Sequence, residues 1–68
     1  MITISKAREY SKRLVDASYT LCPFDMVDMA RQWDNIADDI RVIGIECFNK
    51  QYLENLESQT LELLNKYE

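Results

Sequence analysis

The residue types that most often carry chemistry are few in this chain, and most of them are carboxylates. The 68 residues include 12 Asp and Glu, two Cys and no His. A nucleophilic Cys would therefore lack an imidazole base, and Cys22 and Cys47 are too far apart for a CxxC metal-binding motif. Gly44 is the only glycine, so a Gly-rich phosphate loop is excluded. We expect no enzymatic activity, no cofactor and no bound metal.

Three of the carboxylates in the central segment, which has helical periodicity, are candidates for a functional role. Asp34 and Asp38 lie one helical turn apart along a flank, and Asp39 lies opposite the apolar positions. Because they share one convex surface, they cannot form the opposed walls of a catalytic cleft. A solvated helix face is the simplest interpretation. The functional alternative is an acidic strip that docks in a basic groove of another protein.

Apolar residues outside the main helical stripe suggest a second part of such a surface. The residues in excess of what one buried face needs are Val27, Val42 and Ile45, with Tyr19 and Phe24 near the helix junction, although the central helix of a bundle can bury two flanks. We therefore predict a partner-binding or self-association surface formed by Asp34, Asp38, Asp39, Val42, Ile45 and Phe48.

The N-terminal segment carries the only candidate for nucleic-acid contact. Its basic residues are Lys6, Arg8, Lys12 and Arg13. Acidic residues are interspersed among them and the whole chain has a net charge of −4, so a solvated face is the favoured interpretation. A DNA-contacting face remains the alternative.

The apolar spacing predicts three helices. The first spans about residues 5 to 20, with Thr3 or Ser5 as its N-cap. Pro23 starts the second, with Cys22 as N-cap. The third begins after Asn49, which can cap it. Its apolar stripe contains Leu53, Leu56, Thr60, Leu63 and Tyr67, broadened by Leu61 and Leu64.

The second helix has the clearest pattern. Trp33 occupies the centre of a heptad-spaced ladder that consists of Met26, Ala30, Trp33, Ala37, Ile40, Gly44 and Cys47, beside a second row with Met29, Ile36 and Ile43. Continued to its end, the ladder predicts a helix of about 25 residues with Cys47 in the core. Residues 41–48 are rich in β-branched side chains and could alternatively form a short strand. We favour helix because Ile43, Gly44 and Cys47 lie on the apolar stripe of the preceding helix.

These patterns predict an all-α protein with a single domain over residues 1–68. The architecture is a small three-helix bundle, or a helical hairpin completed by dimerisation. No apolar run reaches membrane-spanning length, and two isolated cysteines suit a reducing compartment. We expect a cytoplasmic protein that binds no membrane.

The expected function is a small acidic interaction module that binds and blocks a larger protein as an inhibitor or adaptor. Its partner would carry a basic or apolar groove. Phages and mobile elements encode proteins of this character against host machinery, including nucleic-acid-handling proteins, but this is an analogy of character alone. The alternative is a dimeric DNA-associated transcriptional modulator that uses the basic face of helix one. A self-assembling structural subunit is a third possibility.

Overall fold

The computed structural model describes residues 2–21 and 24–67, and over these residues the protein is all-helical. Helix α1 spans Ile4–Leu21, α2 spans Phe24–Ile43 and α3 spans Lys50–Tyr67. A single turn of 3-10 helix, Ile45–Cys47, connects α2 to α3. The predicted all-α class and the order of three helices are therefore confirmed.

Two helix starts follow the predicted capping chemistry. The backbone N–H of Lys6 donates to Thr3 Oγ1 (3.1 Å) at the start of α1. At the start of α3, the backbone N–H of Tyr52 donates to Asn49 Oδ1 (3.2 Å). Each side chain satisfies an amide that has no partner within the helix. The predicted cap at Cys22 and Pro23 lies outside the described residues.

The end of α2 corrects the sequence prediction. The helix stops at Ile43 because Gly44 adopts a φ of +89°, which a glycine reaches without the steric cost of a Cβ. The chain then turns away, so the predicted continuation to Cys47 is wrong. Residues 41–48 also form no strand. Cys47 is exposed rather than in the core, and its thiol lies 3.3 Å from the Ile43 carbonyl oxygen.

One hydrophobic core receives side chains from all three helices. The ladder of α2 is buried from Met26 through Trp33 to Ala37, and Ile40 packs against its edge. Ile43 is 55% exposed and Leu61 is 41% exposed, so the predicted stripes are too wide at these positions. Helices α1 and α2 pack along each other, and α3 adds the four buried residues Leu53, Leu56, Thr60 and Leu64.

Candidate functional site

Two of the predicted partner-binding carboxylates are already paired within the chain. Arg8 Nη2 donates to Asp38 Oδ1 (2.9 Å), and Arg8 Nη1 lies 3.4 Å from Asp34 Oδ1. One guanidinium thus bridges two carboxylates that are a helical turn apart and ties α1 to α2. All three side chains are about half exposed, so the cluster contributes at most about 1 kcal/mol per pair. A cationic partner would have to compete with Arg8 here.

The third predicted carboxylate belongs to a different surface, which we call the α2-end patch: Asp39, Val42 and Ile43. Positions three and four residues apart share a helix face, so Val42 and Ile43 adjoin Asp39. Val42 is 77% exposed and Ile43 is 55% exposed. Asp39 is exposed and forms no ion pair with another described residue. The patch therefore combines two apolar side chains with an available negative charge.

Ile45 and Phe48, the remaining predicted partner-binding residues, lie beyond Gly44 and are only partly buried. Both pack against the core. They also line a groove of about 780 Å³, which we call the acidic groove; its lining is Ile2, Ile45, Glu46, Phe48, Lys50, Leu53, Glu54 and Glu57. Sequence reasoning missed Ile2 and the three glutamates, because their proximity depends on the turn at Gly44.

A second depression, of about 550 Å³, lies between α2 and α3. Polar and apolar residues both line it: Asp28, Met29, Gln32, Gln59, Glu62, Leu63 and Lys66. Carboxylates, amides and one ammonium group alternate there, so this surface presents no single charge.

The predicted basic face is partly neutralised by neighbouring side chains. Lys6 lies 3.7 Å from a Glu9 carboxylate oxygen and 5.3 Å from the centroid of the Tyr10 ring. Arg8 holds Asp34 and Asp38 as described above, and Arg13 acts electrostatically on Tyr10. Lys12 is exposed and pairs with no described carboxylate. Carboxylates therefore offset two of the four cations, Lys6 and Arg8, which reduces the positive charge that α1 offers to a phosphate backbone.

The aromatic and hydroxyl groups in the interior serve packing. Trp33 is fully buried, and its indole Nε1 donates to Thr60 Oγ1 (2.8 Å). The Thr60 hydroxyl in turn lies 2.8 Å from the Leu56 carbonyl oxygen. Tyr10 completes the cluster, with its ring centroid 5.0 Å from that of Trp33. This chain of hydrogen bonds satisfies polar groups that would be costly to bury alone.

Tyr10 also links α1 to α3 through its hydroxyl. The hydroxyl donates to Glu57 Oε2 (2.6 Å), while the residue as a whole is 2% exposed. Burial raises the pKa of Tyr10 well above its usual range, and the hydrogen bond to the Glu57 carboxylate raises it further. The folded protein therefore strongly favours the neutral phenol.

This raised pKa predicts a loss of stability in alkaline solution. Because the pKa is higher in the folded state, the stabilisation is complete below the unfolded value of about 10 and is lost as the pH rises above it. We expect the free energy of unfolding to fall by up to about 1.4 kcal/mol per pH unit above pH 10. Urea denaturation across this range measures the slope.

Tyr10→Phe should be less stable than the wild type at pH 7 and should lose most of this alkaline slope. Tyr52→Phe is the matched control, because Tyr52 is 47% exposed and should keep the slope. An unchanged slope in Tyr10→Phe would show that other groups cause the alkaline unfolding.

The described carboxylates and the Cys47 thiol do not form a metal-binding arrangement. Within residues 2–21 and 24–67, no three His, Cys, Asp or Glu side chains cluster closely enough to hold a metal ion. No helix in the same ranges is both long and apolar enough to cross a membrane. The described surface does present the exposed apolar side chains of the α2-end patch and the acidic groove.

Comparison with known proteins adds no family. The chain matches no protein-family profile, no curated protein sequence and no solved structure.

Proposed function

We propose that this chain is a small interaction protein that acts by binding a larger protein, as an inhibitor or adaptor, and not by catalysis. The observation that carries this proposal is the α2-end patch. Val42 is 77% exposed at the end of a helix whose other apolar positions are mostly buried. Val42 and Ile43 are adjacent and both exposed, and contiguous exposed apolar residues are a feature of interaction sites.

The same proposal is supported by the aromatic, hydroxyl and guanidinium groups that form contacts within the chain and are therefore not available for catalysis. Trp33, Tyr10 and Thr60 bond to one another or to neighbouring helices, and Arg8 pairs with carboxylates of α2. What remains is a surface that suits a basic or apolar groove on the partner. A host protein that handles nucleic acid would have such a basic groove, and the exposed Cys47 thiol suits a reducing cytoplasm.

For the architecture, we propose a three-helix bundle that folds without a second copy. Thr60 of α3 lies directly on the Trp33 indole, and Leu64 is 1% exposed, so α3 supplies the cover that a dimer partner would otherwise give. In a two-helix hairpin completed by dimerisation, the second copy and not α3 would cover Trp33. A homodimer through the α2-end patch remains compatible with the bundle.

The DNA-associated alternative is supported less well. It requires the positive charge of α1 to face phosphates, but Arg8 lies between Asp34 and Asp38, and Lys6 is close to Glu9. The net charge of −4 further opposes approach to a polyanion.

The test is capture from a nuclease-treated lysate of the native host at physiological salt, with the tagged protein as bait and mass spectrometry as readout. We expect one protein in stoichiometric amount. Capture of nothing but the bait itself would instead indicate self-assembly. Duplex DNA bound by purified bait, with affinity that falls steeply between low and moderate salt, would favour the DNA-associated alternative.

A further inference from the structure

The acidic groove has a floor and a rim of different chemistry. Ile2, Phe48 and Leu53 provide the apolar floor, with Ile45 beside them. Ile2 is 7% exposed and Leu53 is 5% exposed, so the floor continues into the hydrophobic core and is held rigidly by it. The positive φ of Gly44 forms the groove, because it ends α2 and lets the 3-10 turn bring Ile45 and Phe48 over the core.

The rim carries more negative than positive charge. Glu46, Glu54 and Glu57 line the groove, against the single ammonium group of Lys50. Glu57 accepts the Tyr10 hydroxyl, whereas Glu46 and Glu54 are exposed and form no ion pair with any described residue. Two carboxylates at the mouth of an apolar groove are therefore available to a ligand.

This combination selects one kind of occupant. An apolar side chain would be stabilised by burial on the floor, in proportion to the apolar area that is removed from water. Cationic groups on either side of it would gain from the rim, whereas phosphates and anionic lipid head groups would be repelled. We infer that the acidic groove binds a segment of a partner protein in which one bulky apolar side chain is flanked by Lys or Arg. The inference rests on the proposed function, since it specifies the chemistry of the partner.

The probe is a set of three blocked pentapeptides titrated into the full chain. They are acetyl-Lys-Lys-Phe-Lys-Lys-amide, the same peptide with Ser in place of Phe, and acetyl-Glu-Glu-Phe-Glu-Glu-amide. Methyl NMR signals of Ile2, Ile45 and Leu53 report on the floor of the groove. We expect saturable shifts of these signals with the Lys/Phe peptide and none with the acidic peptide.

Charge reversal at the rim should weaken this binding. The variant E46K/E54K should bind the Lys/Phe peptide about tenfold more weakly. The control D28K/E62K changes the net charge equally, at two residues of the other depression, and should bind nearly as well as the wild type. Preserved NMR dispersion in both variants shows that the fold is retained.

Three results would overturn the inference. If the Ser peptide bound as tightly as the Lys/Phe peptide, binding would depend on general charge attraction and not on burial of the Phe side chain in the groove. Equal weakening in D28K/E62K would mean that the rim has no special role. Floor signals that move on dilution of the protein alone would mean that a second copy occupies the groove. None of these outcomes depends on lysate capture, so failure of the groove and failure of the proposed function can be distinguished.

Discussion

Replacement of Trp33 by Ala should leave the protein mostly unfolded or close to its unfolding midpoint. The side chain is 0% exposed, contacts the Tyr10 ring and donates its indole N–H to Thr60. A buried Trp→Ala change costs about 3–5 kcal/mol. A domain of this size has a total stability of only about 3–10 kcal/mol. Thermal and urea unfolding, followed by far-ultraviolet circular dichroism, measure the loss.

The variant Trp33→Phe separates packing from hydrogen bonding. It keeps an aromatic ring against Tyr10 but removes the indole donor, while Thr60 can still donate to the Leu56 carbonyl. We expect Trp33→Phe to lose less than half as much stability as Trp33→Ala. A melting temperature for Trp33→Ala within a few degrees of the wild type would contradict the central position of Trp33, because each 1 kcal/mol lowers it by about 4–8 °C in a domain of this size.

Periodicity and capping residues predicted most of the fold. The heptad ladder placed Met26, Trp33 and Ala37 in the core, and all three are buried. Asn49 caps α3 as predicted, and of the two candidate caps for α1, Thr3 and Ser5, the structure has Thr3. Such features depend on residues a few positions apart, so the local sequence contains the information.

Pairings between helices could not be predicted in the same way. The sequence predicts a solvated face for Arg8, with nucleic-acid contact as the alternative, and a partner surface for Asp34 and Asp38. In the structure, Arg8 instead bridges these two carboxylates. Similarly, the stripe placed Trp33 and Thr60 on buried faces but did not indicate their hydrogen bond. Both contacts depend on the register of helices that are distant in sequence, which periodicity alone does not determine.

The interval from Gly44 to Phe48 shows how one dihedral angle changes a predicted site. In a continued helix, Cys47 would lie on the buried stripe, and Val42, Ile45 and Phe48 would form one flank. The φ of +89° at Gly44 instead divides these residues. Val42 stays exposed on the α2-end patch, while Ile45 and Phe48 pack against the core beside the acidic groove.

Replacement of both apolar residues of the α2-end patch, Val42 and Ile43, by Lys should abolish partner capture. In V42K/I43K, two exposed apolar side chains are replaced by cations, which desolvate poorly and repel a basic groove. Lysines at the end of a helix complement its dipole, so we expect little loss of stability. Truncating a hot-spot residue of an interface costs about 2 kcal/mol or more, which corresponds to roughly 30-fold or more in affinity, and we expect Val42 and Ile43 to be such residues.

The matched control is V27K/L61K, because Val27 and Leu61 are 43% and 41% exposed and lie outside the patch. Both double variants add two positive charges and remove two partly exposed apolar side chains. Equal melting temperatures of the two variants would show that any difference in capture comes from the location of the change.

The decisive measurement is therefore the amount of partner captured from host lysate by V42K/I43K, relative to V27K/L61K and the wild type. We expect a stoichiometric partner with the wild type and the control, and loss of nearly all of it with V42K/I43K. Capture of the same partner in equal amount by folded V42K/I43K would contradict the α2-end patch as the binding surface.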